Sequence, residues 1–133
     1  MKRILFLCVA NAARSQIAEG IARSLASEDT KIGSAGSEPT AVRPQAIAVL
    51  QAISVDFGGQ RSRSIVEVPA DEVDLVVILC AEEVCPIFVG KATRLHWALP
   101  DPAAVQGSEE GRMAAFRQVR DELRRRVTSL LQG

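Results

Sequence analysis

Two short, continuously apolar runs constrain the fold more than any other feature of this sequence. They lie at residues 4–7 and 73–79, and only Asp74 interrupts the second. Runs that do not alternate between polar and apolar residues are typical of strands covered on both faces, as in parallel sheets. Two shorter strands are predicted at residues 31–37 and 94–97. Together, the four segments predict a four-stranded sheet.

Segments with helical periodicity separate these strands. Apolar residues recur three or four positions apart after residue 14, after Pro44 and from about Glu109 onward. Pro44 is well placed for the first turn of a helix. Strands that alternate with helices imply right-handed βαβ units, so we predict an α/β fold in which helices flank a parallel sheet. A solvated surface is predicted for the basic face of the last helix, which carries Arg117, Arg120, Arg124 and Arg125.

Length and charge fit one compact domain and exclude several classes of protein. The 133 residues are predicted to form a single domain over residues 1–133. Sixteen basic residues balance sixteen acidic ones, so no net charge attracts nucleic acid or an anionic membrane. No apolar run approaches the roughly 20 residues of a membrane span. The first residues resemble a signal peptide, but the apolar run is short and leads into Asn11 and Arg14, which favours a buried strand and a cytoplasmic protein.

The chain has three cysteines, Cys8, Cys80 and Cys85. An odd number without a convincing export signal argues against a secreted disulfide scaffold. A zinc site lacks ligands, because His96 is the only histidine and no second cysteine pair exists. Two interpretations stay open at this point, namely buried inert thiols or thiols with a nucleophilic or redox role.

The segment from Cys8 to Ser15 is predicted to carry the chemistry. A loop that runs from a strand into a helix N-terminus directs backbone N–H groups and the positive end of the helix dipole at one place. Arg14 can hold two oxygens of a tetrahedral anion there, and the same field favours a nucleophilic thiolate at Cys8. Ser15 can donate to the thiolate or to a leaving group. The predicted oxyanion-binding residues are Val9, Ala10, Asn11, Ala12, Ala13, Arg14 and Ser15.

This loop resembles the phosphate-binding loop of the low-molecular-weight protein tyrosine phosphatases and of the thioredoxin-coupled arsenate reductases that share their fold. The segment 34–36 (Ser-Ala-Gly) is similar to a motif after the family's second strand, and Asp101-Pro102 is similar to its Asp-Pro loop. The resemblance implies a phosphatase-like fold over nearly the whole chain, with Asp101 as a general acid or base. The alternative for Asp101 is an ordinary turn, which Pro-Asp-Pro favours in any protein.

The segment 79–86 resembles the redox segment of those reductases, including Pro86 after the last cysteine. The resemblance implies a relay in which Cys8 attacks arsenate while Asp101 assists the departure of hydroxide. Cys80 then attacks Cys8 and frees arsenite, and Cys85 attacks Cys80 to leave a disulfide that thioredoxin reduces. The implied catalytic residues are Cys8, Arg14, Cys80, Cys85 and Asp101, in a monomer for which phosphate and sulfate compete with arsenate.

A low-molecular-weight protein tyrosine phosphatase that works through a Cys8-phosphate intermediate is the alternative function. Such phosphatases commonly carry a second cysteine inside the loop and a tyrosine after Asp-Pro, whereas this chain has Ala103 there and no tyrosine at all. The reductase is therefore favoured. A degenerate member that only binds oxyanions is a third possibility. Val9, Ala10 and Ala12 stand where the reductases commonly have hydroxyl residues or glycine, which predicts a change in turnover rate.

Some members of the family bind potassium through Asn, Glu, Ser and Asp side chains. Asn11, Glu19 and Ser34 match three of these positions, but Arg63 stands at the fourth. Because a fixed cation repels a metal ion, we predict no bound metal and no bound cofactor. Thioredoxin is the expected external electron donor, and glutaredoxin and mycothiol stay open as alternatives.

Overall fold

A four-stranded sheet forms the centre of the chain in a computed structural model, which describes residues 2–58, 60–81, 87–88 and 90–132. The strands are β1 (Lys2–Cys8), β2 (Thr30–Gly36), β3 (Leu75–Ile78) and β4 (Thr93–His96). Their order across the sheet is β2-β1-β3-β4, and every neighbouring pair is parallel. The predicted four-stranded parallel sheet is confirmed.

Both faces of the sheet are covered, as the continuous apolar runs predict. Ile4 and Phe6 pack on one side with the helices α1 (Arg14–Leu25), α2 (Pro44–Gln51) and α3 (Glu109–Gln132). Leu5 and Leu7 point to the other side, where they pack in a second apolar cluster. No helix in the described ranges is both long and apolar enough to cross a membrane. Short 3-10 helices complete the chain at Ile65–Glu67, Ala70–Glu72 and Pro102–Ala104.

The second helix ends without the glycine that usually terminates a helix. Its regular part stops at Gln51, and Ser54 then adopts a left-handed conformation with φ 61°. The N–H groups of Val55 and Ser54 donate to the carbonyls of Leu50 (3.0 Å) and Gln51 (3.0 Å). This pattern is a Schellman motif, in which glycine is the usual left-handed residue. Burial of Val55 in the same apolar cluster as Leu50 accounts for an end without glycine.

Two sequence predictions are corrected. The third strand spans Leu75–Ile78 rather than residues 73–79, because Val73 ends the 3-10 helix Ala70–Glu72 and the Asp74 side chain accepts a hydrogen bond from the Arg3 backbone N–H (2.8 Å). The basic face of α3 is not wholly solvated. The side chain of Arg120 is only 12% exposed, and its Nη1 donates to the carbonyl of Val49 in α2 (3.1 Å). Packing of α3 against α2 is the reason.

The single tryptophan lies just after β4. Trp97 donates its backbone N–H to the carbonyl of Ile78 (2.9 Å), which continues the pairing of β3 with β4. Its ring centroid is 6.5 Å from that of Phe6, and the guanidinium of Arg126 lies 5.9 Å from the ring. Trp97 therefore joins the end of the sheet to helix α3.

Candidate active site

The loop that joins β1 to α1 carries the predicted oxyanion-binding residues. Cys8 is the last residue of β1, and Arg14 is the first residue of α1. No side chain caps the helix at Ala13, and the first turn contains no acidic residue. The N-terminal amides of α1 and its dipole are thus left for an external anion.

Backbone N–H groups from outside this loop donate hydrogen bonds to its carbonyl groups. The N–H and C=O groups of a trans peptide point in opposite directions, so the loop N–H groups face away from these partners. Within the described part of the chain, none of the N–H groups of residues 9–13 donates a hydrogen bond. The loop therefore offers a set of unused donors of the kind a tetrahedral anion needs. The bonds that hold it run from Glu38 N to Val9 O (2.9 Å), from Thr40 N to Ala10 O (3.0 Å) and from Arg43 N to Ala12 O (2.9 Å).

Asn11 forms the crown of the loop in a left-handed conformation, with φ 50°. Its side-chain oxygen accepts from the backbone N–H of Arg63 (2.8 Å) and from Nε2 of Gln16 (3.0 Å). These two donors fix the orientation of the amide. Its Nδ2 then donates to the hydroxyls of Ser15 (2.7 Å) and Ser34 (2.9 Å).

This network has a direction that suits a negative charge at Cys8. Ser15 Oγ lies 2.9 Å from Cys8 Sγ and already accepts from Asn11, so its own proton is available to a thiolate. At the other end, Ser34 Oγ donates to Glu19 Oε1 (2.5 Å). The two bonds from Asn11 Nδ2 therefore lead through hydroxyls to Cys8 Sγ on one side and to the Glu19 carboxyl group on the other. The predicted role of Ser15 fits this geometry.

Arg14 is buried and connects the loop to the ends of two other strands. Its Nη1 donates to the carbonyls of Leu99 (2.9 Å) and Leu79 (3.4 Å). Leu79 directly precedes Cys80, and Leu99 lies two residues before Asp101. The structure therefore gathers four of the predicted catalytic positions at the carboxyl edge of the sheet, where open α/β folds bind their ligands.

The cysteines differ in state. Cys8 is a buried free thiol, whereas Cys80 is fully buried and disulfide-bonded. The carbonyl of Cys80 lies 2.7 Å from Nε2 of His96, the last residue of β4. Cys85 lies outside the described residues.

Asp101 caps a 3-10 helix, and its Oδ1 accepts from the backbone N–H of Ala103 (2.9 Å). The turn that Pro-Asp-Pro favours is therefore present. This bond holds one carboxyl oxygen and orients the other. A catalytic role for Asp101 stays a prediction.

The side chains of Asn11, Glu19 and Ser34 bond to one another and to other protein groups. Both bonds to Asn11 Oδ1 come from N–H donors, and the carboxylate of Glu19 is shared between Ser34 and Arg23, whose Nη2 lies 2.8 Å away. Arg63 adds a positive charge beside them. Among the described residues, no group of three or more His, Cys, Asp or Glu could hold a metal ion. The expectation of no bound metal stays a prediction.

Glu19 has a pKa above its usual range because burial disfavours the carboxylate. The hydrogen bond from Ser34 and the charges of Arg23 and Arg63 oppose this effect without cancelling it. An acid whose pKa is raised on folding weakens the fold while it is ionised. That penalty is present at neutral pH and disappears as the pH falls below the unfolded value of 4.5.

We therefore expect the wild-type protein to gain unfolding free energy relative to Glu19→Gln as the pH falls from about 7 to about 4. Urea unfolding at both pH values measures the difference. Glu122 provides a control of opposite sign, because hydrogen bonds from Arg125 and Arg126 lower its pKa to about 2. The stabilising effect of Glu122 is present above pH 4.5 and is lost as the pH falls through about 2. The unfolding free energy of Glu122→Gln should therefore rise relative to that of wild type in acid. A difference between wild type and Glu19→Gln that does not change with pH contradicts the assignment for Glu19.

Gly36, at the end of β2, gives the loop the space it occupies. A Cβ atom there would lie 2.4 Å from Val9 O, 2.9 Å from Asn11 N and 3.0 Å from Cys8 O, all of them backbone atoms that cannot rotate away. We expect Gly36→Ala to displace the loop, to lower stability by about 1–3 kcal/mol and to abolish most oxyanion binding. Thermal unfolding and isothermal titration with phosphate measure both effects.

Gly33→Ala in the same strand is the matched control for Gly36→Ala. A Cβ at Gly33 would meet its nearest atoms at 3.9 Å, which is ordinary contact. Phosphate binding at the loop should therefore be unchanged in Gly33→Ala. An equal loss of phosphate affinity in the two variants would contradict the role assigned to Gly36.

Two buried glutamines near the loop were missed by the sequence analysis. Nε2 of Gln16 donates to the carbonyls of Asn11 (3.1 Å) and Arg61 (2.9 Å), and Oε1 of Gln16 accepts from Nε2 of Gln60 (2.8 Å). These contacts support the crown of the loop from below. The available signal was a polar residue directly after Arg14-Ser15, but two of its partners, Gln60 and Arg61, lie 44 and 45 positions away.

Comparison with known families identifies this loop and fold. The family model for low molecular weight phosphotyrosine protein phosphatase matches residues 3–133. The chain belongs to this family. Membership of the phosphatase family confirms the resemblance predicted from the Cys8–Ser15 segment.

Several relatives within this fold are described as arsenate reductases. The arsenate reductase of Halalkalibacterium halodurans is 39% identical over 128 residues, which are 95% of this chain and 92% of that protein. A solved arsenate reductase in the phosphate binding state is 34% identical with a TM-score of 0.82, covering 99% of this chain and 98% of that one. Another in an oxidized state is 33% identical with a TM-score of 0.84 at the same coverage.

Proposed function

We propose that this protein reduces arsenate to arsenite through a thiol relay that begins at Cys8. The observation that carries the proposal is the place of a second, disulfide-bonded cysteine beside the loop. The backbone N–H of Leu79 donates to the carbonyl of Leu7 (2.9 Å). Cys80 and Cys8, which directly follow these two residues, therefore lie at the same edge of neighbouring strands. The similarity to arsenate reductases over nearly the whole chain supports the same reaction.

The proposed chemistry balances without a bound metal or cofactor. The Cys8 thiolate attacks arsenic and displaces a hydroxide that leaves as water after protonation by Asp101. The Cys80 thiolate then attacks Cys8 sulfur, the arsenic–sulfur bond breaks, and its electron pair reduces arsenic from the +5 to the +3 state. Cys85 attacks Cys80 and frees Cys8. A free Cys8 with a disulfide-bonded Cys80 is the state expected at this stage.

An external dithiol must reduce the final disulfide, and we propose thioredoxin for this step. A relay that ends with Cys80 joined to Cys85 leaves Cys8, which is buried, as a free thiol. Thiol–disulfide exchange requires attack on an accessible sulfur, which supports a relay that does not leave the oxidised sulfur on Cys8.

Hydrolysis of phosphate monoesters is the second candidate. The unused loop donors, Arg14 and the free thiol of Cys8 form what a Cys8-phosphate mechanism needs. The family match supports this activity as a side reaction.

The deciding experiment compares both reactions in one preparation. Arsenate reduction is followed by NADPH oxidation with thioredoxin and thioredoxin reductase, and hydrolysis is followed with an aryl phosphate. We expect arsenate-dependent NADPH oxidation that stops when thioredoxin is omitted. Aryl phosphate hydrolysis without any arsenite release in the presence of thioredoxin, glutaredoxin or mycothiol would overturn the reductase.

A further inference from the structure

A second cavity lies apart from the Cys8 loop, at the edge of the sheet formed by β2. Its volume is about 570 Å³, within the size range of small-molecule sites. The walls come from the first halves of β1 and β2, the end of α1 and residues 63–69. Gly33 lines the cavity three residues before Gly36, which pairs with Cys8, so roughly 10 Å of strand separates the two sites.

Basic side chains dominate this cavity. Arg3, Arg23, Lys31 and Arg63 line it, and Glu67 is the only acidic residue in its walls. Glu67 is already bonded to Arg61 (2.9 Å) and to the backbone N–H of Ser64 (2.8 Å). Neither Lys31 nor Arg63 forms a salt bridge within the described ranges. Arg3 pairs with Glu72 (3.8 Å) and Arg23 with Glu19 (2.8 Å), so Lys31 and Arg63 hold the positive charge in the cavity that has no paired carboxylate among the described residues.

Arg63 provides an observation that is independent of charge. Its Nε is buried and has no hydrogen-bond partner among the described residues, although its side chain lines the cavity. The side chain passes over Gly33, which has no Cβ. A Cβ atom built there would lie 3.9 Å from Nη1 of Arg63, which is an ordinary contact distance. A buried donor without an acceptor is unfavourable, and an anion in the cavity would supply the acceptor.

We propose that this cavity binds an oxyanion with two or more negative charges. Inorganic phosphate or arsenate and the phosphate chain of a nucleotide share the necessary chemistry, since each offers several acceptors to guanidinium and ammonium donors.

Occupation of the cavity acts on the Cys8 loop through two connections. Arg63 donates its backbone N–H to Asn11 Oδ1, and Arg23 is paired with Glu19, which accepts from Ser34 and so reaches Asn11 as well. The occupant would compete with Glu19 for these cations.

Amide chemical shifts test the proposal because they report the two sites separately. Wild-type protein is titrated at constant ionic strength with phosphate, pyrophosphate and ATP, while the amides of Gly33 and Lys31 are followed beside those of Ala12 and Ala13. We expect both groups to shift with phosphate but with different saturation. Tighter binding of pyrophosphate or ATP than of phosphate at Gly33 assigns the site to a phosphate chain, and the reverse order assigns it to the single tetrahedral anion.

Charge reversal at one wall residue provides the variant test. Lys31→Glu should weaken binding at Gly33 by roughly tenfold or more, and binding at Ala12 should change much less, because the loop responds only through Arg63 and Arg23. Arg124→Glu is the matched control, because Arg124 is exposed on α3 and away from the cavity. Arg63→Gln should act like Lys31→Glu and also move the Asn11 amide. The proposal is overturned if the Gly33 amide does not shift while the loop saturates, or if Lys31→Glu and Arg124→Glu have the same effect.

Discussion

Cys80→Ser should stop arsenite release under thioredoxin coupling and leave the hydrolysis of an aryl phosphate. Cys8, Arg14 and Asp101 remain in this variant, so the first attack on a tetrahedral anion is preserved. A serine hydroxyl cannot attack the Cys8 sulfur and displace arsenite from it, because this exchange depends on a thiolate nucleophile. Arsenite release under NADPH coupling and aryl phosphate hydrolysis, measured on the same sample, give the two rates.

Cys85→Ser is the companion variant, and it should fail at a later stage. The relay would stop with Cys8 and Cys80 joined, so mass spectrometry after one arsenate turnover should find that disulfide, whereas wild type should show Cys80 joined to Cys85. Circular dichroism verifies that both variants are folded. Normal arsenate turnover in both serine variants would mean that the two cysteines are structural, and the phosphatase would become the better description.

Arg14→Lys should weaken oxyanion binding and lower turnover strongly, although the charge is kept. Nη1 of the guanidinium donates to the carbonyls of Leu99 and Leu79, which fixes the plane of the group that is predicted to hold the anion. An ammonium group cannot do both in the same geometry. Loss of charged hydrogen bonds worth about 1.5–3 kcal/mol corresponds to roughly a 10- to 100-fold weaker anion affinity.

Arg120→Lys serves as the matched control for Arg14→Lys. Arg120 is also largely buried and also donates Nη1 to a backbone carbonyl, that of Val49, but it lies between α2 and α3. Isothermal titration with phosphate should show normal affinity in Arg120→Lys. Equal affinity in the two lysine variants would show that Arg14 does not hold the anion.

The sheet and the Cys8 loop could be predicted because their signals are local. A strand covered on both faces shows an uninterrupted apolar run, which locates β1 and the centre of β3. The loop is likewise defined within eight consecutive residues, where a strand end, Cys8, Arg14-Ser15 and a helix start follow one another.

The support beneath the loop could not be predicted from local patterns. The bond from Arg63 to Asn11 joins residues 52 positions apart, and the bond from Asn11 to Ser34 joins residues 23 positions apart. Periodicity contains no information on such pairs. The position at which α2 ends could not be predicted for a similar reason, because the burial of Val55 rather than a glycine determines where the chain turns.

The fluorescence of Trp97 is a signal that can report the oxidation state of the protein without a label. The chain has one tryptophan and no tyrosine, so its ultraviolet emission comes from a single ring. That ring follows His96, whose imidazole contacts the Cys80 carbonyl, and it packs on Phe6 in the strand that ends at Cys8. A rearrangement at either sulfur changes the surroundings of the indole. We therefore expect stopped-flow fluorescence of the unlabelled protein to follow the steps of the proposed thiol relay.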